Sequence, residues 1–98
     1  QREVTPDLII QVVSDHFGLA PLDISSQKRN KEIVYPRQIV MYLCGDMTSE
    51  SLQNIGKALG GRDHTTIIHG TKKIASELKT DENLKNTIDI LKKKINPQ

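Results

Sequence analysis

Gly60 and Gly61 fall between two amphipathic stretches, and no other feature of the chain restricts its fold so tightly. Adjacent glycines reach left-handed backbone conformations that a Cβ penalises, so a helix can end there and the chain can reverse sharply. Before them, Leu52, Ile55 and Leu59 are spaced for the inner face of a short helix. After them, Asp63 is suited to cap a second helix running from about His64 to Lys79, with Ile67, Ile68, Ile74, Ala75 and Leu78 inward. The first turn of that helix then presents Asp63, His64, Thr65 and Thr66 outward, all able to form hydrogen bonds. A short helix, a glycine turn and a longer helix with a polar tip make the pattern of a helix-turn-helix, whose second helix addresses the major groove of DNA.

The remaining segments also read as helices. Thr5, Pro6 and Asp7 supply a cap, a first-turn proline and an acid at the positive helix end. Leu8, Ile9, Val12, Val13 and Phe17 follow at helical spacing until Gly18. A short turn of helix is expected over Pro21 to Ser25 with Leu22 tucked inward, then a solvent-exposed basic loop over Ser26 to Glu32. Pro36 is expected to start a long helix that buries Ile39, Val40, Leu43 and Met47, with Gly45 weakening its last turn. Thr48 to Ser51 form a cap-rich junction. Thr80 and Asp81 open a final helix marked by Leu84, Ile88, Leu91 and Ile95, and Pro97 follows it. No segment alternates apolar and polar residues with β-branched enrichment, so the expected fold is all-α: a small bundle of about six helices containing a helix-turn-helix.

Composition agrees with that reading. The 98 residues suffice for one modest core. Phe17, Tyr35 and Tyr42 are the only aromatic residues besides histidine, so an aliphatic core of packed helices fits better than an aromatic-rich sandwich. The expectation is a single domain over residues 1–98, with a core from about 4 to 96, taken from the C-terminal part of a longer protein because the chain opens without Met. Cys44 is alone, which excludes an internal disulfide and suits a reducing compartment. No apolar run approaches the roughly 20 residues that span a bilayer.

The net charge of +2 is unevenly spread. Residues 1–27 set Arg2 against Glu3, Asp7, Asp15 and Asp23. Residues 28–73 set Lys28, Arg29, Lys31, Arg37, Lys57, Arg62, Lys72 and Lys73 against Glu32, Asp46, Glu50 and Asp63. Positive charge therefore gathers around the glycine turn, where a polyanion would dock. At that tip the threonine methyls can meet thymine methyls, Asp63 can accept from a cytosine amino group, and His64 can bond to purine N7 or carbonyl oxygens. Arg62, Thr66 and the helix N-terminal amides suit phosphate. Lys28 to Lys31 form a basic loop that can reach into an adjacent minor groove, where narrow A·T tracts favour Arg. Arg37 and Gln38 are expected to bond to phosphates, and Lys57, Lys72 and Lys73 to add electrostatic contacts.

Catalytic and metal readings find little. His64 and His69 are not at the helical spacing of a metalloprotease pair, and HExxH is missing. No residues show zinc-ligand spacing. Neither a GxxxxGK[ST] loop nor GxGxxG occurs, so no nucleotide chemistry is expected in this stretch. His16 reads as a residue at the core edge of the first helix.

The stretch Gly60-Gly61-Arg62-Asp63-His64-Thr65-Thr66-Ile67-Ile68-His69 resembles the hallmark of the C-terminal DNA-binding domain of the DnaA family, the bacterial chromosomal replication initiators. The similarity extends to Tyr35-Pro36-Arg37-Gln38-Ile39 and to Ser51-Leu52, Ile55 and Gly56, and spans roughly residues 4–95. The resemblance implies a six-helix domain, monomeric by itself, that recognises the DnaA box at the replication origin in the bacterial cytoplasm. It implies that Asp63, His64 and Thr65 read bases in the major groove, and that Arg29 enters the minor groove. Leu52 and Gln53 would lie against thymine methyls, with Arg37, Gln38, Thr48, Arg62 and Thr66 as phosphate partners, to which the charge distribution adds Lys28, Lys57 and Lys72. Gln53 stands where the family often has Pro, and can instead bond to an adenine edge. Gly45 stands where many relatives carry Lys. The resemblance places an ATPase domain before Gln1, so ATP, Mg²⁺ and oligomerisation on the origin belong to the longer protein, and no cofactor or enzymatic activity is expected here. Acidic phospholipids and regulatory proteins are further partners of the family. The rival readings are a helix-turn-helix transcription regulator, marked by a palindromic site and a stable dimer, and a protein-interaction bundle whose basic face meets an acidic partner or membrane surface.

Overall fold

In the computed structural model, residues 3–97 are described; Gln1, Arg2 and Gln98, the outer limits of the expected domain, lie outside the described residues. Six α-helices follow one another: α1 (Pro6–Phe17), α2 (Pro21–Ser25), α3 (Lys31–Met47), α4 (Leu52–Ala58), α5 (His64–Glu77) and α6 (Glu82–Ile95). No strand occurs among the described residues. The all-α expectation is met.

Helix ends follow local chemistry. The Thr5 hydroxyl accepts from the Leu8 amide at 3.1 Å and starts α1. Gly18 ends it at φ 69°, and the Leu19 amide reaches back to the Ser14 carbonyl at 2.8 Å. Asp81 caps α6 by accepting from the Leu84 amide at 3.0 Å. The start of α3 differs from expectation. Asn30 is its N-cap, Lys31 its first residue, and Pro36 lies inside it. An internal proline removes one backbone bond, here the one that the sixth residue of the helix would have donated to the Glu32 carbonyl. Packing outweighs that loss, because Ile33 joins Val40 and Cys44 on the buried side.

The helices enclose one aliphatic core, with Ile9, Val13, Ile24, Ile39, Leu43, Leu59, Ile67, Ile74, Leu91 and Ile95 all fully buried. Helix α3 is its spine, packing against α1, α2 and α4 and most extensively against α5. Gly70 permits that last contact: a Cβ there would overlap the Met41 sulfur and crowd the Gln38 side chain. The inner faces of α1 and α6 match the sequence spacing. Three expected core positions are corrected. Leu22 is 81% exposed and Ile24 takes the buried place on α2. Leu52 is 38% exposed, because α4 turns Ile55 and Gly56 inward instead. Ala75 is exposed, as Ile74 already fills the inner side of that turn.

Candidate nucleic-acid interface

The turn between α4 and α5 is built by three glycines. Gly60 and Gly61 adopt φ values of 81° and 84°, in the left-handed region expected for them. Gly56 had no role assigned from sequence, yet the turn closes on it. The amides of Gly61 and Arg62 both donate to the Gly56 carbonyl at 2.9 Å. A Cβ on Gly56 would overlap the Arg62 carbonyl oxygen. The signal was its position one turn before the glycine pair, on the inner face of a short helix.

The turn delivers α5 with its amino end in solvent. Asp63, His64, Thr65 and Thr66 are all exposed, while Ile67 directly behind them is fully buried. Asp63 occupies the N-cap position, but its carboxylate caps nothing. It instead lies 3.1 Å from His64 Nδ1, and both side chains are about two-thirds exposed. The expected cap is thus a backbone cap only, with the Asp63 carbonyl accepting from Thr66 and Ile67. Beside this tip Ser51, Leu52, Gln53, Lys57, Gly61, Arg62, Asp63 and His64 line an open groove of about 630 Å³. Leu52, Gln53 and Lys57 are exposed there, bringing together candidates from both helices. The exposed Leu52 is consistent with an apolar contact to a ligand and inconsistent with the core role that helical spacing suggested.

One expected phosphate partner, Arg37, turns away from the surface, and a second, Arg62, commits much of its guanidinium to main-chain carbonyls. Arg37 is 4% exposed. Its Nε donates to the Ile24 carbonyl at 2.6 Å, one terminal nitrogen to Lys28 at 3.0 Å, and the other to Asp23 at 3.2 Å and Ser26 at 3.0 Å. Burial, and then the nearby Arg62 charge, push this guanidinium below its ordinary pKa. The phosphate assignment of Arg37 is corrected: its donors hold main-chain carbonyls. Arg62 is half-buried and used similarly, donating to Leu59 at 2.6 Å, Ser25 at 3.4 Å and Ser26 at 2.7 Å. Thr48 is also committed, with its hydroxyl donating to the Cys44 carbonyl at 2.7 Å and accepting from the Glu50 amide at 3.2 Å. That hydroxyl shapes the junction from α3 to α4.

The basic loop keeps its outward cations. Lys28 and Arg29 are exposed, and Lys28 lies 3.0 Å from Asp23, whose carboxyl it holds below the usual range chiefly through that hydrogen bond. Arg29 lines a second cleft, of about 460 Å³, with Lys31, Glu32, Val34, Tyr35, Gln38 and Lys73. Gln38 is half-buried where α3 meets α5, and its Oε1 is enclosed without a hydrogen-bond partner. Lys72 and Lys73 are exposed on α5. Among the described residues no group of three or more His, Cys, Asp or Glu side chains could hold a metal ion. Cys44 is fully buried, and burial pushes its thiol up to about 12, so it is not a reactive centre.

A short helix, a glycine-built turn and a second helix with an exposed polar tip define the helix-turn-helix class. Residues 6–74 match the family described as bacterial dnaA protein helix-turn-helix. The chain belongs to that family. It is 53% identical over 97 residues to the chromosomal replication initiator protein DnaA of Lachnoclostridium phytofermentans, covering 99% of this chain and 21% of that protein. To the same-named protein of Geobacter sulfurreducens it is 46% identical, covering 94% of this chain and 21% of the relative. A crystal structure of a DNA replication initiation factor superposes with a TM-score of 0.78 at 34% identity, over 92% of this chain and 28% of that one. The chain thus spans about a fifth of the length of the curated relatives it matches.

Proposed function

We propose that this chain binds double-stranded DNA sequence-specifically and recognises the DnaA box at a replication origin, as the C-terminal domain of a cytoplasmic chromosomal replication initiator. One observation carries the reading: Asp63, His64, Thr65 and Thr66 stand exposed at the amino end of a helix whose next residue is buried in the core. A helix end anchored in the core, with exposed donors and acceptors at its tip, is what direct readout of base edges needs. Asp63, His64 and Thr65 serve as the major-groove readers, Leu52 and Gln53 flank them, and Arg29 reaches the minor groove. Lys28, Gln38, Lys57, Thr66 and Lys72 supply phosphate contacts. Arg37 is removed from that set, and Arg62 acts on the main chain first. The chain acts as a monomer on a nonpalindromic site. Nucleotide binding and assembly on the origin are assigned to the parts of the initiator beyond this chain, as is contact with acidic phospholipids and regulators.

The test is selection of bound duplexes from a random pool at two salt concentrations. The reading expects one nonpalindromic site bound one-to-one, with affinity falling as salt rises because lysines displace counterions. A palindrome bound by a stable dimer would favour a transcription regulator instead. A folded chain that ignores duplex DNA at low salt would remove the reading altogether.

A further inference from the structure

The two inward-turned arginines converge on the same short piece of main chain. Arg37 holds the carbonyls of Asp23, Ile24, Ser26 and Lys28, and Arg62 holds those of Ser25 and Ser26. Ser26 is shared. Within the segment the Lys28 amide donates to the Ser26 hydroxyl at 3.2 Å, and Lys28 closes on Asp23. The glycine turn touches it directly, since a Cβ on Gly60 would overlap the Ser25 carbonyl oxygen. Arg29 leaves this clamped segment at the next residue and is exposed.

From this arrangement we infer that Arg37, assisted by Arg62, is a positioning residue for DNA readout: it fixes the Arg29 loop to the helix-turn-helix so that two separate readers hold one register. The inference rests on the reading of Arg29 and the α5 tip as DNA readers. The physical need is clear. A loop reader that drifts relative to α5 loses discrimination, because a base contact must be held in place before binding to contribute fully. A planar guanidinium with its fork of donors can span several carbonyls at once; an ammonium is compact and cannot hold the same set. Arg37 therefore acts on sequence preference without touching DNA, and Arg62 ties the same segment to the turn that aims α5.

Position-by-position base preference tests this, comparing the wild-type chain with Arg37→Lys, Arg29→Ala and Thr65→Ala. The expected result is that Arg37→Lys loses about tenfold discrimination at the base pairs that Arg29→Ala also loses. It should keep discrimination at the base pairs that Thr65→Ala loses. Uniform weakening at every position would overturn the inference, as would a flattened salt dependence with base preference intact, the mark of a lost phosphate contact. A wild-type chain that selects no sequence would instead sink the function proposed above. Should Arg37→Lys fail to fold, Arg62→Lys is put through the same comparison, with the same pattern of loss expected and the same contrary results. In the wild type, the Arg37 Nε–H should stay slow to exchange with water before and after the selected duplex is added. Fast exchange in the free chain, or a shift of that resonance on binding, would also overturn the inference.

Discussion

Arg29 and Arg37 belong to the same basic stretch of sequence, yet Arg29 stands in solvent while Arg37 is 4% exposed. The loop and helix tip around Arg29, Asp63, His64 and Thr65 leave polar groups turned outward. In the segment from Asp23 to Lys28 five carbonyls are taken up by two guanidiniums. The contrast shows that cationic residues close together in sequence divide into those left to solvent and those that hold the main chain in shape. Net charge and motif position do not separate them. The number of carbonyls within reach does.

The contrast predicts effects of different kinds and sizes. Arg37→Ala should be the largest, destabilising the fold by about 3 kcal/mol because buried carbonyls lose a charged donor. Urea unfolding measures it, and a loss below about 0.5 kcal/mol would mean that the clamp contributes little. Thr65→Ala should leave folding stability within about 0.5 kcal/mol of wild type. The same change should cost about 1–3 kcal/mol of affinity for the selected duplex and little for random DNA. Equal losses on both duplexes would show that Thr65 does not read sequence.

Cys44, on the core side of α3, provides a pH test. Burial raises its pKa to about 12 from an ordinary 9.0, so the folded chain holds this proton more tightly than the unfolded one. Its contribution to stability is complete below pH 9 and is lost as pH rises towards 12. Unfolding titrations between these limits should show a decline steeper in the wild type than in Cys44→Ala, by about 1 kcal/mol per pH unit. Parallel declines would mean that the thiol is not enclosed. The smallest effect belongs to Gly45, exposed in the last turn of α3 with open space where a Cβ would be. Gly45→Ala should stabilise the fold by up to about 1 kcal/mol, seen as a higher urea midpoint. Destabilisation there would show that the glycine serves a backbone purpose.

Much of this organisation is legible in the residues themselves. The caps at Thr5 and Asp81, the stop at Gly18, the reversal at Gly60 and Gly61 and the apolar face of α6 are local features, and local rules recover them. Three kinds of feature escape. Pro36 suggests a helix start, but Ile33 in phase with Val40 shows that packing carries the helix through it. Helical spacing puts Leu22 and Leu52 in the core, and only the tertiary arrangement reveals that Ile24 takes the buried place on α2 and that Leu52, unlike Ile55, is exposed. The Arg37 clamp is non-local, joining α3 to carbonyls of α2 and the following loop, and carbonyl direction leaves no trace in residue identity. The outward candidates, Asp63 to Thr66, are legible because a helix start exposes what precedes its first buried residue.

Whether the end of α5 meets DNA is decided by titrating the isotopically labelled wild-type chain with its selected duplex and following each backbone amide by NMR. The largest shifts should fall on residues 63–66 and 28–30, with α1 and α6 almost unmoved. Shifts centred on α6 or α1, with the residues after the glycine pair undisturbed, would place the DNA elsewhere and contradict the assignment of that helix as the reader.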